Sequence, residues 1–291
     1  MAQSNYNVKD LYSEFNKIDR EFGVSTNNGY ASEYANKLIK KYCPHKGGNY
    51  NGLGTCYYYH EMATSGIINL VENLMKYSLD YDKLAEYAIL FLNYKLYQYP
   101  DYRRIKLNDI YTKNIEKNKY YNEKIKGNDL TCKEIINRKK DLMNTNEISK
   151  FNEAFSILFS FYNGINKSNL DCNKCSEDAN KFADQFKELN NDSNINGNTS
   201  YSKLLSTLSN DYDNFKSYYA EKCSGCKDIP TLPKVKTPPS KLIPALSTFS
   251  VIPVFLGIAY KYSLFGVDKL FQRQYLRKKL KKVKKKLKLN I

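Results

Sequence analysis

Nineteen consecutive residues, Leu242 to Tyr260, carry no charge, and the 31 that follow hold twelve basic residues against one acid, Asp268. At about 1.5 Å per residue, a helix over this stretch spans roughly 28 Å, close to a hydrocarbon core of about 30 Å. A buried core helix of that length normally keeps a polar face, whereas here Ser247, Thr248, Ser250 and Tyr260 are the only polar side chains. Pro244 and Pro253 are better tolerated in a membrane helix than in a soluble one. Tyr260 and Tyr262 stand where an interfacial aromatic belt belongs. The segment is therefore read as a single membrane span.

The tail carries +11 of the chain's +16, which leaves +5 for residues 1–241. Lys261 and the tail outweigh Lys234, Lys236 and Lys241 on the other side. The positive-inside rule then puts the C-terminus in the cytosol and residues 1–241 outside it. The N-terminal stretch has no apolar core of the signal-peptide type, so no cleavable leader is read and the C-terminal span must direct insertion.

Leu270, Leu276, Leu280, Val283 and Leu287 recur among the tail's basic residues at helical spacing. This predicts a basic amphipathic helix on an anionic inner leaflet. The predicted contacts are Lys261, Arg273, Arg277, Lys278, Lys279, Lys281, Lys282, Lys284, Lys285 and Lys286. A nucleic-acid-binding arm has a similar composition, but placement directly after a span favours lipid, and no nucleic-acid partner is expected.

The seven cysteines, Cys43, Cys56, Cys132, Cys172, Cys175, Cys223 and Cys226, all precede the span. Outside the cytosol their expected use is disulfides, with one thiol left over and the pairing open. The alternative is an intracellular membrane-anchored adaptor holding zinc through Cys172-x-x-Cys175 and Cys223-x-x-Cys226. Its local spacing suits a four-thiolate site, but its 47-residue gap exceeds that of a zinc ribbon.

The body, residues 1–226, is expected to be all-α. Val8, Leu11, Tyr12, Phe15, Ile18 and Phe22 form one amphipathic face, and Tyr30, Tyr34, Leu38 and Tyr42 continue the period until Cys43-Pro44. Further stripes run over Ile67–Leu74, Leu84–Leu96 and Ile148–Tyr162, the last expected to be the central helix. Residues 177–189 and 200–222 also read as helical, with their aromatics in the core. No period-2 strand pattern stands out. Residues 227–241, with four prolines, read as a semi-rigid spacer without a core. The predicted order is body 1–226, linker 227–241, span 242–260 and tail 261–291.

Catalytic motifs fail on inspection. In the loop His45–Thr55, Leu53-Gly54 stand where a phosphate loop needs Lys-Ser/Thr, and Tyr57 replaces the third glycine of a dinucleotide fingerprint. Thr64 replaces the second histidine of a His60-Glu61 zincin motif. No Gly-x-Ser-x-Gly elbow occurs. Neither an enzyme activity nor a cofactor is expected. The sequons at Asn166, Asn191 and Asn198 are weak signals in so Asn-rich a chain.

Several blocks resemble one family. They are Lys41-Tyr-Cys-Pro44, Asp82-Lys-Leu-Ala-Glu-Tyr-Ala-Ile-Leu-Phe-Leu-Asn-Tyr-Lys-Leu96, Ile148-Ser-Lys-Phe-Asn-Glu-Ala-Phe155, Tyr201-Ser-Lys-Leu-Leu-Ser-Thr-Leu-Ser-Asn-Asp-Tyr212 and Phe255-Leu-Gly-Ile-Ala-Tyr-Lys-Tyr-Ser-Leu-Phe-Gly266. Together they resemble the Plasmodium interspersed repeat (PIR) proteins, the variant multigene family of malaria parasites, in its rodent-parasite form. The resemblance runs over nearly the whole chain. It departs where the family carries a cysteine just after the first valine, since Lys9-Asp10 follow Val8 here; this is a source of the odd cysteine count. The resemblance implies a helical ectodomain and display at the infected red cell surface or in exported and parasite membranes. It also implies a non-catalytic role in host interaction and immune evasion, with a host cell-surface protein as partner. It supplies no ligand residue to carry over.

Overall fold

The structure is a computed structural model that describes residues 6–27, 30–45, 52–164, 172–222, 228–238 and 271–285. The chain forms two units, Met1–Pro238 and Pro239–Ile291. The first is mostly helical. Its elements are α1 (Val8–Asp19), β1 (Phe22–Asn27), β2 (Tyr30–Ala35), α2 (Lys37–Lys40), α3 (Tyr59–Leu74), α4 (Tyr81–Tyr97), α5 (Leu107–Ile110), α6 (Cys132–Asn137), α7 (Asn152–Gly164), α8 (Cys172–Asn191), α9 (Ser193–Asn196) and α10 (Thr199–Lys222).

Local chemistry sets the helix starts. The Asn7 side chain accepts from the Lys9 amide at 2.9 Å, and Asp80 caps α4 through the Lys83 amide at 2.8 Å. Thr131 and Glu134 form a reciprocal capping box on α6. Along α1, Val8, Leu11, Tyr12, Phe15 and Ile18 are all buried, as their spacing predicts. The helices most fully enclosed are α3 and α4 rather than α7, and Glu61 to Val71 of α3 are buried without a break. Leu84 to Asn93 are buried without a break, because this run is apolar almost all round; α7 buries only one face.

Four helices meet at a buried carboxylate. Asp211 of α10 accepts from Tyr87 of α4 at 2.8 Å and from Tyr12 of α1 at 3.0 Å. The Tyr162 hydroxyl of α7 donates to the Asp211 backbone oxygen at 2.6 Å. Burial, only partly offset by Lys83 and the two hydroxyls, pushes the Asp211 carboxyl up to about 7. Burial also raises Tyr12 and Tyr87 well above the ordinary tyrosine value, and the neighbouring Asp211 charge adds to it. One turn earlier on α10, Thr207 donates to Glu86 at 2.8 Å, and Glu86 pairs with the buried Lys139 at 2.9 Å. Burial works against the Lys139 charge, but Glu86 and Asp82 outweigh it and hold its ammonium above the usual value.

Two expectations change here. Residues 22–35 are an antiparallel hairpin, with Phe22 opposite Ala35 and Asn27 opposite Tyr30, rather than a continuation of helix. Just two residues, Asn28-Gly29, separate the paired ends, and this dipeptide is the strongest short-range hairpin signal. Residues 228–238 are not a spacer standing clear of the body. Ile229 is buried, and Tyr212 donates to the Pro230 carbonyl at 2.9 Å. The Asn190 amide brackets the strap by donating to the Lys234 carbonyl at 2.9 Å and accepting from the Lys236 amide at 2.7 Å. A proline-rich strand lacks internal hydrogen bonds, so its free carbonyls and amides are open to side chains of the body.

The Cys43–Cys56 disulfide closes the loop in front of α3 across 13 residues. Gly54 belongs there because a Cβ would come within 2.3 Å of the Cys43 carbonyl oxygen. Gly54 thus serves close packing against a disulfide rather than phosphate binding.

Replacing Asp211 with Ala strands two buried tyrosine hydroxyls and should cost about 2–4 kcal/mol, read by urea unfolding. Between pH 4 and 7 the folded state holds a proton on Asp211 that the unfolded chain has released. Stability contributed by this group is therefore full below about pH 4 and lost as pH rises towards about 7, the folded value. Asp211→Asn should remove that slope while keeping the fold. Replacing Cys43 and Cys56 together with Ala should lower unfolding free energy by about 3 kcal/mol on the loop-entropy account.

Candidate interaction surface

The hairpin carries the most exposed aromatic residue of the body. Alternation along the strands sends Phe22 and Val24 inward, with their partners Ala35 and Glu33. Phe22 packs on the Tyr59 ring at 5.6 Å, and Glu33 accepts from the Tyr102 hydroxyl at 2.8 Å. The other face therefore presents Tyr30, Ser32 and Tyr34. Tyr30 is 81% exposed, and the half-exposed Tyr34 ring lies across Gly23, where an added Cβ would approach it to 3.0 Å. Every residue of β2 except Ala35 is exposed.

The corner beneath the hairpin is pinned from inside. The buried Lys95 ammonium donates to the Asp19 carboxylate at 2.9 Å and to the Asp19 and Phe22 carbonyls at 3.2 and 3.3 Å. Burial lowers its pKa and Asp19 opposes that shift. One side chain thus satisfies the end of α1 and the start of β1, fixing the angle at which the hairpin leaves the body.

Next to the hairpin, Tyr57 and Tyr58 precede α3 and are 63% and 57% exposed. Glu61 holds this entry by accepting from the Tyr57 amide at 2.7 Å while bonding His45 Nε2 at 2.9 Å. The Tyr57 ring lies 4.4 Å from that of His45, and Tyr58 stacks on His60 at 5.3 Å. His60 in turn reaches Tyr102 at 6.1 Å, and Tyr102 holds Glu33. Two ring groups thus flank the α3 entry: Tyr57 with His45 at the disulfide loop, and Tyr58 with His60 and Tyr102 towards the hairpin. Burial lowers the His60 pKa against the pull of Glu61 and Glu33. His45 is tied to Glu61 beside an oxidised Cys43, so the histidine–cysteine neighbours of the sequence do not form a nucleophile and base. The surface presents rigid amphipathic rings with few rotatable bonds, the chemistry of recognition rather than of reaction.

The other cysteines fall into different settings. Cys172, at the start of α8, is disulfide-bonded, so it is not a thiolate ligand for a zinc ion in this state. Cys175 is buried on the same helix, and Cys132 is a buried free thiol raised by burial, then by the Glu72 charge. Such a thiol is inert. Cys223 and Cys226 lie outside the described residues. Among the described residues no cluster of three or more His, Cys, Asp or Glu forms a metal site.

In the second unit, residues 271–285 are helical, and every one of them is exposed. Arg273, Arg277, Lys278, Lys279, Lys281, Lys282, Lys284 and Lys285 lie on this helix, beside the exposed Phe271, Tyr275, Leu276, Leu280 and Val283. The Lys279 ammonium sits 5.5 Å from the Tyr275 ring. Lys261, Lys286 and the apolar segment 242–260 lie outside the described residues; among the described residues no helix is long and apolar enough to cross a membrane.

Sequence periodicity missed Tyr30, Tyr34, Tyr57 and Tyr58 as surface residues. Tyr30 and Tyr34 fit a helical stripe, but the same spacing of four also places residues on one face of a strand. Asn28-Gly29 was the signal that separates the two readings.

No curated protein matches the chain. A solved structure described as a Plasmodium PIR protein ectodomain matches at 32% identity with a TM-score of 0.55, covering 79% of this chain and 99% of that one. The family model for the Plasmodium variant antigen proteins Cir/Yir/Bir matches residues 12–261, from the first buried tyrosine of α1 to the lysine after the apolar segment. The match runs over the helical body and the segment that follows it, and the chain is a member of the Plasmodium Cir/Yir/Bir variant antigen family.

Proposed function

We propose that this chain is a single-pass membrane antigen whose helical body is displayed outside the cytosol. There it contacts a host cell-surface protein through the tyrosine face of the hairpin and the α3 entry. Its role is binding and immune evasion, without catalysis. The carrying observation is the set of four exposed rings, Tyr30 and Tyr34 on the hairpin and Tyr57 and Tyr58 at the α3 entry, on elements held by Lys95, Glu61 and the Cys43–Cys56 bridge. Tyrosine is enriched in interface hot spots because it adds large contact area at small entropic cost. Family membership supports the antigen reading.

Residues 242–260 anchor the chain, and the basic tail lies against the anionic cytosolic leaflet. The docked strap 228–238 supports this arrangement by leaving only a short connection, Pro239 to Lys241, between body and span. Display at the infected red cell surface or on exported or parasite membranes follows from that topology.

Two measurements test the proposal. Protease applied to intact infected cells should remove residues 1–238 and spare the tail; a body protected at every membrane defeats the topology. Full-length protein reconstituted in vesicles should bind host cells. The combined change of Tyr30, Tyr34, Tyr57 and Tyr58 to Ser should weaken that binding by about 100-fold or more, two hot spots alone exceeding that factor. Unchanged binding would move the contact to another face.

A further inference from the structure

A second site lies on the body, independent of the tyrosine surface. A cleft of about 310 Å³ opens between the C-terminal end of α4, the segment leading into α5 and the helical turn Asn146–Phe151. Its basic residues are Arg103, Arg104 and Lys106, and no acidic side chain lines it. All three are exposed, and none is paired with a carboxylate among the described residues.

The contrast with the larger cleft beside α6 is informative. That cleft, of about 870 Å³, also has four basic residues, but Asp82 and Glu86 already neutralise Arg138 and Lys139. Its cations hold the fold together. In the smaller cleft Arg103 caps the C-terminal end of α4 through the Tyr97 carbonyl, and no carboxylate pairs with Arg103, Arg104 or Lys106 among the described residues. Three like charges in one concavity repel each other, which a bound anion relieves.

Arg103 is oriented for such a role. Its Nε donates to the Tyr97 carbonyl at 2.7 Å, and its guanidinium lies 4.9 Å from the Tyr97 ring. This fixes the plane of the group, the condition for paired hydrogen bonds to a carboxylate or sulfate. Asn146 and Ser149 add neutral polar groups, and Tyr97 and Tyr102 add ring faces to the wall.

The far side of the wall limits what fits. Tyr97 and Ser149 also border an adjacent cleft that contains Glu153, Glu188 and Asp192. Lys150 pairs with Asp192, leaving Glu153 and Glu188 as acids of that cleft without a salt bridge among the described residues. A long polyanion passing through the first cleft would run into them. We propose that Arg103, Arg104 and Lys106 form a binding site for a single anionic sugar unit, carrying one carboxylate or sulfate, at the end of a glycan. The small volume suits one sugar unit, with the ring faces for its apolar face, the neutral polar groups for its hydroxyls and the basic residues for its anion.

Saturation-transfer NMR on the full-length protein in detergent micelles tests this with glucuronic acid, glucose 6-sulfate, neutral glucose and a heparin octasaccharide. Both anionic monosaccharides should receive saturation and glucose should not. The octasaccharide should bind no tighter than the monosaccharides. Arg104→Ser with Lys106→Ser, which leaves the packed Arg103 in place, should weaken the anionic sugars by about tenfold or more. Glu153→Gln with Glu188→Gln should strengthen octasaccharide binding and leave the monosaccharides unchanged. Equal saturation of glucose, signals that survive the Arg104 and Lys106 changes, or an octasaccharide that outbinds the monosaccharides on the unaltered protein would each overturn the proposal. So would displacement by triglutamate at concentrations where neither sugar competes, since that assigns the cleft to an acidic protein segment. Circular dichroism of each variant separates lost binding from lost fold.

Discussion

The fold turns on one carboxyl group placed where water does not reach. Asp211 is buried among Tyr12, Tyr87 and Tyr162, and these four residues come from four helices. An isolated carboxylate there would be prohibitive, but two phenol hydroxyls converge on its oxygens. The same arrangement makes each tyrosine dependent on Asp211, because a buried hydroxyl without an acceptor costs about 1–3 kcal/mol. Apolar contact alone tolerates small rotations and slips between helices. A directional network does not, so the network selects one register of α10 against α1, α4 and α7.

That register extends along α10. Thr207 and Asp211 are one turn apart and read Glu86 and Tyr87, neighbours on α4. Through Glu86 the contact passes to Lys139 behind α6. On the opposite side of the body, Lys95 closes the junction of α1 and the hairpin. Polar side chains thus hold the elements in place from within. The outer face of the hairpin contributes almost nothing to this core, so its residues are free to serve contact and to vary without loss of the frame.

The helices were legible where a stripe had a single meaning. Val8 to Ile18 and Leu84 to Leu96 form helices as their spacing predicts, and 200–222 matches α10 within a residue. The hairpin was not legible from its stripe, since Tyr30 and Tyr34 satisfy both periods. The strap 228–238 was misread because prolines signal only a lack of internal hydrogen bonding. They do not reveal the external partners that Asn190 and Tyr212 supply. Asp211 stands in a run of Ser, Asn, Asp and Tyr, and nothing in that run marks it as buried. Its role depends on three tyrosines, all at least 49 positions away in sequence.

The sequence by itself determined the order of the parts and their physical class: an α-helical cysteine-containing body, an uncharged stretch of membrane-spanning length and a basic tail. These follow from period, hydropathy and charge, which are local quantities. Only the tertiary structure decided which charges are consumed and which remain available. Arg138 and Lys139 look no different in sequence from Arg103 and Arg104, yet Asp82 and Glu86 neutralise the first pair and no carboxylate pairs with the second among the described residues. The same holds for the tyrosines: those of α1, α4 and α7 are locked on Asp211, while those of the hairpin face outward. Electrostatic and hydrogen-bond partnership acts over a few ångströms in space and is indifferent to distance along the chain.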